Sequence, residues 1–462
     1  MKTIITKRGY GISLESLNEE ELEKLKTTLT VKPRIVPEYD FGDDTEFSVY
    51  RLSDTRIYIP IYYGIKHYGK PSTKERKSQN IESQNESQNI EFEFKGRLKD
   101  HQIDFCTKIL EEITTKGSCI ASSQTGSGKT CIALWIASKL KKRTLILVHK
   151  QFLLNQWIEN IQKFLPKVSI GTIRQNEFDV DKDIVIGMIQ TILSRDYPLR
   201  AFDSFKYTIF DESHHIACKT FSQVLFKCRS ENNLALSATP TRADGLTKVL
   251  EWSLGKILIN VISSDVESPT IRVVEAEYSS KIQAKFNFRG QLNNPDLINQ
   301  LVLDKARNKQ IIEEILKLCS EGRKILVLSG RRDHCVNLEQ ILKPHNLSSE
   351  LYLGSMSNGD LQESNKAQVI FATYSMASEG YDNPSLDSLI MATGMGNITQ
   401  SIGRILRKKN EHRPLVVDFT DPQFFSGQMR RRMQFYRKNK YPIEGIEDPI
   451  HVKEEPEECL FT

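Results

Sequence analysis

The sequence predicts an α/β protein: two parallel-sheet lobes in tandem behind a small α+β N-terminal domain. Three observations lead there. From about residue 97, short and strongly apolar runs alternate with helical stretches. A second series of the same kind opens near residue 271. A glycine-rich loop stands between an apolar run and a helical one in the first series. Runs that are apolar throughout suit strands buried on both faces of a parallel sheet, and the alternation places helices against those faces.

The elements are taken in chain order. Residues 16–29, SLNEEELEKLKTTL, predict a helix opened by a capping box at Ser16 and Glu19. Residues 46–63 are strand-like and rich in tyrosine, completing an N-terminal accessory domain over 1–75. Residues 76–94 are polar, with SQN recurring at 78–80, 83–85 and 87–89, and predict a flexible linker. The first lobe is assigned to 95–265, with strands in SCIASS, TLILVH, DIVIGM, YTIFDE and LALSAT and helices in TCIALWIASKL and FLLNQWIENIQKFL. The second is assigned to 266–442, with strands in IRVVEAEY, KILVLSG, AQVIFAT, SLIMATG and PLVVDF. Residues 443–462 form an acidic tail. Two such lobes predict a cleft able to grip a ligand from both sides.

Composition narrows the class. Of 462 residues, 39% are hydrophobic and 27% charged, as in ordinary globular proteins. No run approaches the ~20 apolar residues needed to cross a bilayer, and the N-terminus turns acidic before a signal-peptide core could form. A soluble, intracellular protein is expected, in a cytoplasm, a viral factory or a virion, with no membrane partner. None of the eight cysteines forms a C-x-x-C pair, which argues against a zinc module or disulfide framework. The net charge of +5 hints at an anionic partner. A basic run, Arg430, Arg431, Arg432, Arg437, Lys438 and Lys440, is interleaved with Phe435, Tyr436 and Tyr441. It suits either a nucleic-acid contact or a solvated helix with aromatic anchors.

Three motifs carry chemistry. SSQTGSGKT, residues 122–130, has the form of a phosphate loop: Ser123, Gln124, Thr125, Gly126, Ser127 and Gly128 would wrap the anion with backbone N–H groups. Lys129 would meet the β and γ phosphates, and Thr130 would be a ligand for Mg²⁺. Ser123 stands where the general motif has glycine. YTIFDESHH, residues 207–215, ends an apolar strand on Asp211 and Glu212. Asp211 would hold Mg²⁺ and Glu212 would orient and deprotonate the attacking water. QSIGRILR, residues 400–407, predicts a helix with Gln400, Arg404 and Arg407 on neighbouring turns. Arginines aimed at a γ-phosphate stabilise transition-state charge by about 10³–10⁵-fold in known systems. ATP is the expected nucleotide.

Together, SSQTGSGKT, DESHH, SAT (237–239), ATYSMASEGYD (372–382) and QSIGRILR resemble motifs I, II, III, V and VI of the superfamily 2 DExH helicases. The resemblance implies two RecA-like lobes and ATP-driven movement, usually 3′→5′. Gln102 resembles the upstream glutamine that reads adenine, and VHKQFLLNQW (148–157) resembles motif Ia. The resemblance also implies that Gly380 and Asp382 sense the ribose and γ-phosphate. It implies that His214, Ser237 and Thr239 couple hydrolysis to the grip on nucleic acid, and that Thr373 touches a phosphate there. ATPTRADGLTKVLEWSLG (238–255) resembles the XPB-type and phage-type DNA helicases. Those often carry R-E-D where this chain has Arg242-Ala243-Asp244, with Arg242 a candidate nucleic-acid contact. VYRLSDTRIYIPIYYGIKHYG and FSGQMRRRMQFYRKNKY are similar to helicases of large cytoplasmic DNA viruses, including the poxvirus transcript-release helicase. DNA is thus the expected track, and RNA polymerase or transcription factors the expected partners. An RNA helicase, or the motor subunit of a larger nucleic-acid-processing complex, is the alternative.

Overall fold

A computed structural model describes residues 2–33, 46–71, 92–123, 126–198, 200–216, 218, 221–238, 244–260, 267–279, 281–286, 292–354, 356, 363–378, 383–396, 398–406 and 410–445, without the side chains of Phe221, Ser378 and Gln400. The chain divides into two compact units, Met1–Ser263 and Ser264–Thr462.

The first unit opens with β1 (Thr3–Thr6), β2 (Gly9–Ser13), α1 (Glu19–Thr28), β3 (Thr30–Val31), β4 (Phe47–Ser48), β5 (Arg51–Leu52), β6 (Arg56–Ile59) and α2 (Ile61–Tyr68). An antiparallel sheet of order β1-β2-β6-β5 sets Tyr10 against Ile59 and Ile12 against Ile57, all four fully buried. Two expectations shift. The helix starts at Glu19, because Leu14–Ser16 close a 3₁₀ turn and the capping box forms two residues later, between Asn18 and Glu21. The strand-like run also breaks at Pro60, and Ile61–Tyr63 begin α2. This helix lies directly on the sheet: a Cβ at Gly64 would fall 2.2 Å from the Tyr10 ring.

The N-terminal block shares one hydrophobic cluster with the larger sheet of the same unit. Tyr63 meets Trp252 edge to face at 5.3 Å, Tyr62 donates to the Lys116 carbonyl at 2.9 Å, and Arg51 donates to Gln223 Oε1 at 2.7 Å. The rest of the unit is β7 (Ser118–Ser123), β8 (Thr144–Val148), β9 (Ile170–Arg174), β10 (Glu177–Phe178), β11 (Ile184–Met188), β12 (Tyr207–Phe210), β13 (Asn232–Ser237) and β14 (Ile257–Asn260). Its helices are α3 (Asp100–Lys116), α4 (Lys129–Leu140), α5 (Gln151–Phe164), α6 (Ile189–Ser194), α7 (Val224–Lys227) and α8 (Thr247–Leu254). The sheet order is β10-β9-β11-β8-β12-β13-β7-β14, parallel except for the β9–β10 hairpin. The end of the expected linker is packed: Phe92 is buried and Phe94 stacks on Phe164 at 5.5 Å. The SQN repeats lie outside the described residues.

The second unit is a parallel sheet of order β17-β18-β16-β19-β20-β15-β21. Its strands are β15 (Thr270–Glu275), β16 (Ile325–Ser329), β17 (Ser349–Tyr352), β18 (Val369–Thr373), β19 (Ser388–Met391), β20 (Leu415–Thr420) and β21 (Ile443–Glu444). Its helices are α9 (Asn294–Leu303), α10 (Lys305–Ser320), α11 (Arg332–Leu342), α12 (Tyr374–Ser378), α13 (Thr399–Ile402) and α14 (Pro422–Lys438). The protein thus carries two RecA-like α/β lobes in tandem. Ile443 and Glu444, expected in the acidic tail, instead close the edge of this sheet against β15. Gly445 comes next with φ +89°, where a Cβ would strike the Val273 carbonyl at 2.3 Å. Residues 446–462 lie outside the described residues.

Beneath this sheet's carboxyl edge runs a buried polar network. His334 sits between Ser329 Oγ and Asn308 Oδ1, each at 2.9 Å, and burial lowers its pKa to about 3, with Arg307 adding to the effect. The folded pKa lies below the free value of 6.5, so the unfolded chain takes up this proton first. Stability from His334 is intact above pH 6.5 and is lost as pH falls toward 3. Acidification from pH 7 to 5 should lower the unfolding free energy by about 2 kcal/mol through this group. Urea unfolding followed by circular dichroism should show that loss, and His334→Asn should flatten it.

Candidate active site

The register of the first sheet brings four strand ends together. In the order β8-β12-β13-β7 the carboxyl ends are followed by His149, Asp211, the Ser237–Ala238 step and the phosphate loop. Ligands of open parallel sheets bind at that edge, beside helix N-termini that favour anions.

The loop leaves β7 at Ser123 and enters α4 at Lys129. Gly126 and Gly128 hold φ of +80° and +82°, the left-handed backbone that glycine adopts without strain. Ser123 Oγ and Ser127 Oγ are buried with no hydrogen-bond partner among the described residues. Orphaned hydroxyls beside two left-handed glycines fit an anion. Lys129 Nζ donates to the Ser123 carbonyl at 3.0 Å, folding across the cradle. Thr130 lies in the first turn of α4. Gln124 and Thr125 lie outside the described residues. Gln102 is buried on the first turn of α3, where its Nε2 donates to the Ser127 carbonyl at 2.8 Å and its Oε1 accepts from Lys99 N at 2.9 Å. Its amide therefore braces the loop.

Asp211 comes directly after β12. Its Oδ2 accepts from the Trp157 indole at 2.8 Å and its Oδ1 from the Glu212 amide at 3.0 Å. Burial pushes this carboxyl's pKa up, while the Trp157 hydrogen bond and the Lys129 charge pull it down. Glu212 sits in left-handed backbone, φ 44° and ψ 52°, a conformation costing an ordinary residue about 1–2 kcal/mol. The surrounding strand ends hold that strain, as functional turns often do. His214 Nδ1 stands 3.4 Å from Glu212 Oε2 and 3.3 Å from Ser237 Oγ, so one ring nitrogen lies beside both Glu212 and the end of β13. Its ring also lies 4.2 Å from that of His215, which lies 4.3 Å from His149. Thr239 and Arg242 lie outside the described residues.

In the second unit, the helix expected over 400–407 is a single turn, Thr399–Ile402. Past Gly403 the chain tightens into i→i+3 bonds, Arg404 N to Ser401 O and Ile405 N to Ile402 O, each at 3.1 Å. Arg404 is buried in that turn. The Gln400 side chain, Arg407, Gly380 and Asp382 lie outside the described residues. Thr373 ends β18, with Oγ1 3.1 Å from Ser375 Oγ.

The basic run on α14 divides. Arg430 and Arg431 face outward, but Arg432 is 1% exposed and pairs with Asp418 at 2.8 Å. The expected phosphate contact at Arg432 is therefore corrected: helical spacing turns every third or fourth residue inward, and this arginine is a core residue. Tyr436 is buried beside it. Sequence reasoning passed over Trp157 as the partner of Asp211; its signal was an N–H-bearing aromatic on the buried face of a helix. It also gave His149 no role.

Phosphate loop, carboxylate pair and RecA-like sheets together define a helicase-type ATPase. Residues 95–242 match the family described as Type III restriction enzyme, res subunit. A protein of Acanthamoeba polyphaga mimivirus named as an ATP-dependent RNA helicase is 32% identical over 456 residues, spanning 96% of this chain and 87% of its own. One of African swine fever virus with the same kind of name is 25% identical over 494 residues, spanning 96% and 92%. A protein of Invertebrate iridescent virus 6 named as a helicase is 26% identical over 454 residues, spanning 93% and 97%. Among solved structures, the Sulfolobus solfataricus SWI2/SNF2 ATPase core in complex with dsDNA has a TM-score of 0.36 at 15% identity, covering 76% of this chain and 93% of that one. The chain belongs to the superfamily 2 helicases, alongside these viral members, and uses ATP.

Gly128 offers the sharpest test of the cradle. A Cβ there would fall 2.5 Å from Gln102 Nε2 on a backbone at φ +82°. Gly128→Ala should weaken binding of a fluorescent ADP analogue at least about tenfold while leaving the circular dichroism spectrum intact.

Proposed function

We propose that the protein is a DNA-dependent ATPase that translocates on or remodels DNA, in viral transcription or recombination. The observation that carries this reading is the placement of His214 Nδ1 beside both Glu212 Oε2, at 3.4 Å, and Ser237 Oγ, at 3.3 Å. It sets Glu212 next to the motif that couples hydrolysis to nucleic acid in the family the chain resembles. Lys129 and the loop amides hold the phosphates, Glu212 orients and deprotonates the attacking water, and Gln400, Arg404 and Arg407 stabilise charge on the transferred phosphoryl group. The hydroxyl of Thr130 and the carboxylate of Asp211 form the hard-oxygen donor set that suits Mg²⁺, which when bound neutralises charge on the phosphate oxygens. Loss of the γ-phosphate removes the arginines' target, and that difference drives the change in grip. Arg242, Thr373, Arg430 and Arg431 are proposed nucleic-acid contacts, with sequence-tolerant, salt-sensitive backbone binding.

The segment ADGLTKVLEWSLG supports DNA, and an XPB-type assignment, through its resemblance. A second reading, an RNA helicase, is favoured by the names of the mimivirus and African swine fever virus relatives. ATP hydrolysis measured with single-stranded DNA, duplex DNA and RNA separates the two. Stimulation by DNA, abolished by Glu212→Gln, is expected; stimulation by RNA alone would transfer the assignment. His214→Ala should keep ADP affinity within about twofold while losing most of the stimulation by nucleic acid.

A further inference from the structure

Between β19 and the turn that carries Arg404 runs Ala392-Thr393-Gly394-Met395-Gly396. Three buried side chains, each from a different helix, hold its carbonyls. Arg307 of α10 donates Nη1 to the Ala392 carbonyl at 2.6 Å. Tyr374 of α12 donates its hydroxyl to the Thr393 carbonyl at 2.5 Å. Arg432 of α14 donates Nη1 to the Met395 carbonyl at 3.2 Å. A fourth bond, from Gly330 N to Thr393 Oγ1 at 2.8 Å, ties the same segment to the end of β16.

Both arginines are anchored on or just beyond β20. Arg307 makes a two-pronged pair with Asp421, at 3.1 and 3.2 Å. Arg432 Nε donates to Asp418 Oδ2 at 2.8 Å, and the Tyr436 hydroxyl donates to the same oxygen at 2.9 Å. Gly394 lies directly under α14, where a Cβ would meet Gln428 Oε1 at 2.9 Å and Arg432 Nη1 at 3.5 Å.

Stability alone does not call for this arrangement. Buried ion pairs contribute little net stability, and apolar residues of similar volume often serve as well. Here Asp418 Oδ1 is even left buried without a hydrogen-bond partner among the described residues. What the arrangement provides is position. Gly394 and Gly396 would otherwise make this the most permissive stretch on the approach to α13, and planar guanidinium forks fix a carbonyl in direction as well as distance.

We infer that this carbonyl clamp sets the placement of Arg404, making Arg432 and Tyr374 positioning residues for ATP turnover that act through the turn. The inference rests on the proposed role of Arg404. Transition-state contacts tolerate little misplacement, whereas nucleotide binding by the phosphate loop does not depend on them.

The test uses the full chain with saturating nucleic acid and three variants: Arg404→Ala, Arg432→Lys and Tyr374→Phe. For each, kcat, KM for ATP, ADP affinity and melting temperature are measured. Arg404→Ala should abolish turnover with ADP still bound. Arg432→Lys keeps the charge beside Asp418 but loses the fork, and Tyr374→Phe removes one hydroxyl. Both should lower kcat, by about tenfold and about threefold, with ADP affinity within about twofold of the parent. Full kcat in both variants, or a kcat that falls only with the folded fraction, would overturn the clamp while leaving Arg404's role standing. Parental turnover by Arg404→Ala would sink the role of Arg404 itself.

Discussion

The parallel pairing of β8, β12, β13 and β7 is the constraint on which the site depends. Each strand is buried on both faces, so its polar chemistry can emerge only where the strand ends. Pairing in register then forces those ends to emerge side by side. Ser123, Asp211 and Ser237 come from distant parts of the sequence yet stand at one edge because Ile209 pairs with Leu234 and Leu234 with Cys119. The apolar runs thus do more than fill the core: they measure out where the phosphate loop, the carboxylates and Ser237 meet. A slip of one residue in any of them would turn its terminal side chain to the other face.

At that edge the protein accepts several local penalties. Glu212 sits in left-handed backbone, Asp211 is a carboxyl raised by burial, and two serine hydroxyls lack partners among the described residues. Each would be an error in an ordinary loop. Concentrated at one strand edge, they fit the proposed anion and metal site. Trp157 is the moderating element. Its indole hydrogen bond favours the charged form of Asp211, and its ring packs in the core beneath the sheet. The second unit shows the same habit in deeper form, with Arg307, Arg432, Asp418 and Asp421 all buried beneath its strand ends.

Much of this was legible in the sequence, for identifiable reasons. Short runs of small and apolar residues such as SCIASS and TLILV suit interior strands, and both appear as such, β7 spanning Ser118–Ser123 and β8 spanning Thr144–Val148. The phosphate loop and the DESHH stretch are chemistry written contiguously, so their positions at strand ends are settled once the strands are known. What the sequence hid depends on partners remote along the chain. Arg432 reads as one more cation in RRR until Asp418 is seen beneath it. Gln102 resembles a glutamine that reads adenine, and only the fold shows its amide donating to the Ser127 carbonyl at 2.8 Å. The 400–407 stretch has helical spacing, and only its packing shows that it stops after one turn. Ile443 and Glu444 belong in composition to the acidic tail, and only the open edge of β15 makes them a strand.

The shared core of the N-terminal block has a consequence for how the protein is made. Tyr63 packs on Trp252, and Tyr62 lies against Gly255, so the block's outer face finds its cover about 190 residues further along the chain. Synthesis proceeds at about 5–20 residues per second, so those aromatics leave the ribosome roughly 10–40 s before the surface that buries them exists. During that interval the small sheet has its own pairing, the cover of α1 and the closure of α2 over Tyr10. The close seating of Gly64 on that ring therefore matters first to the nascent chain, as the contact that shields a half-built core until the rest of the lobe is translated.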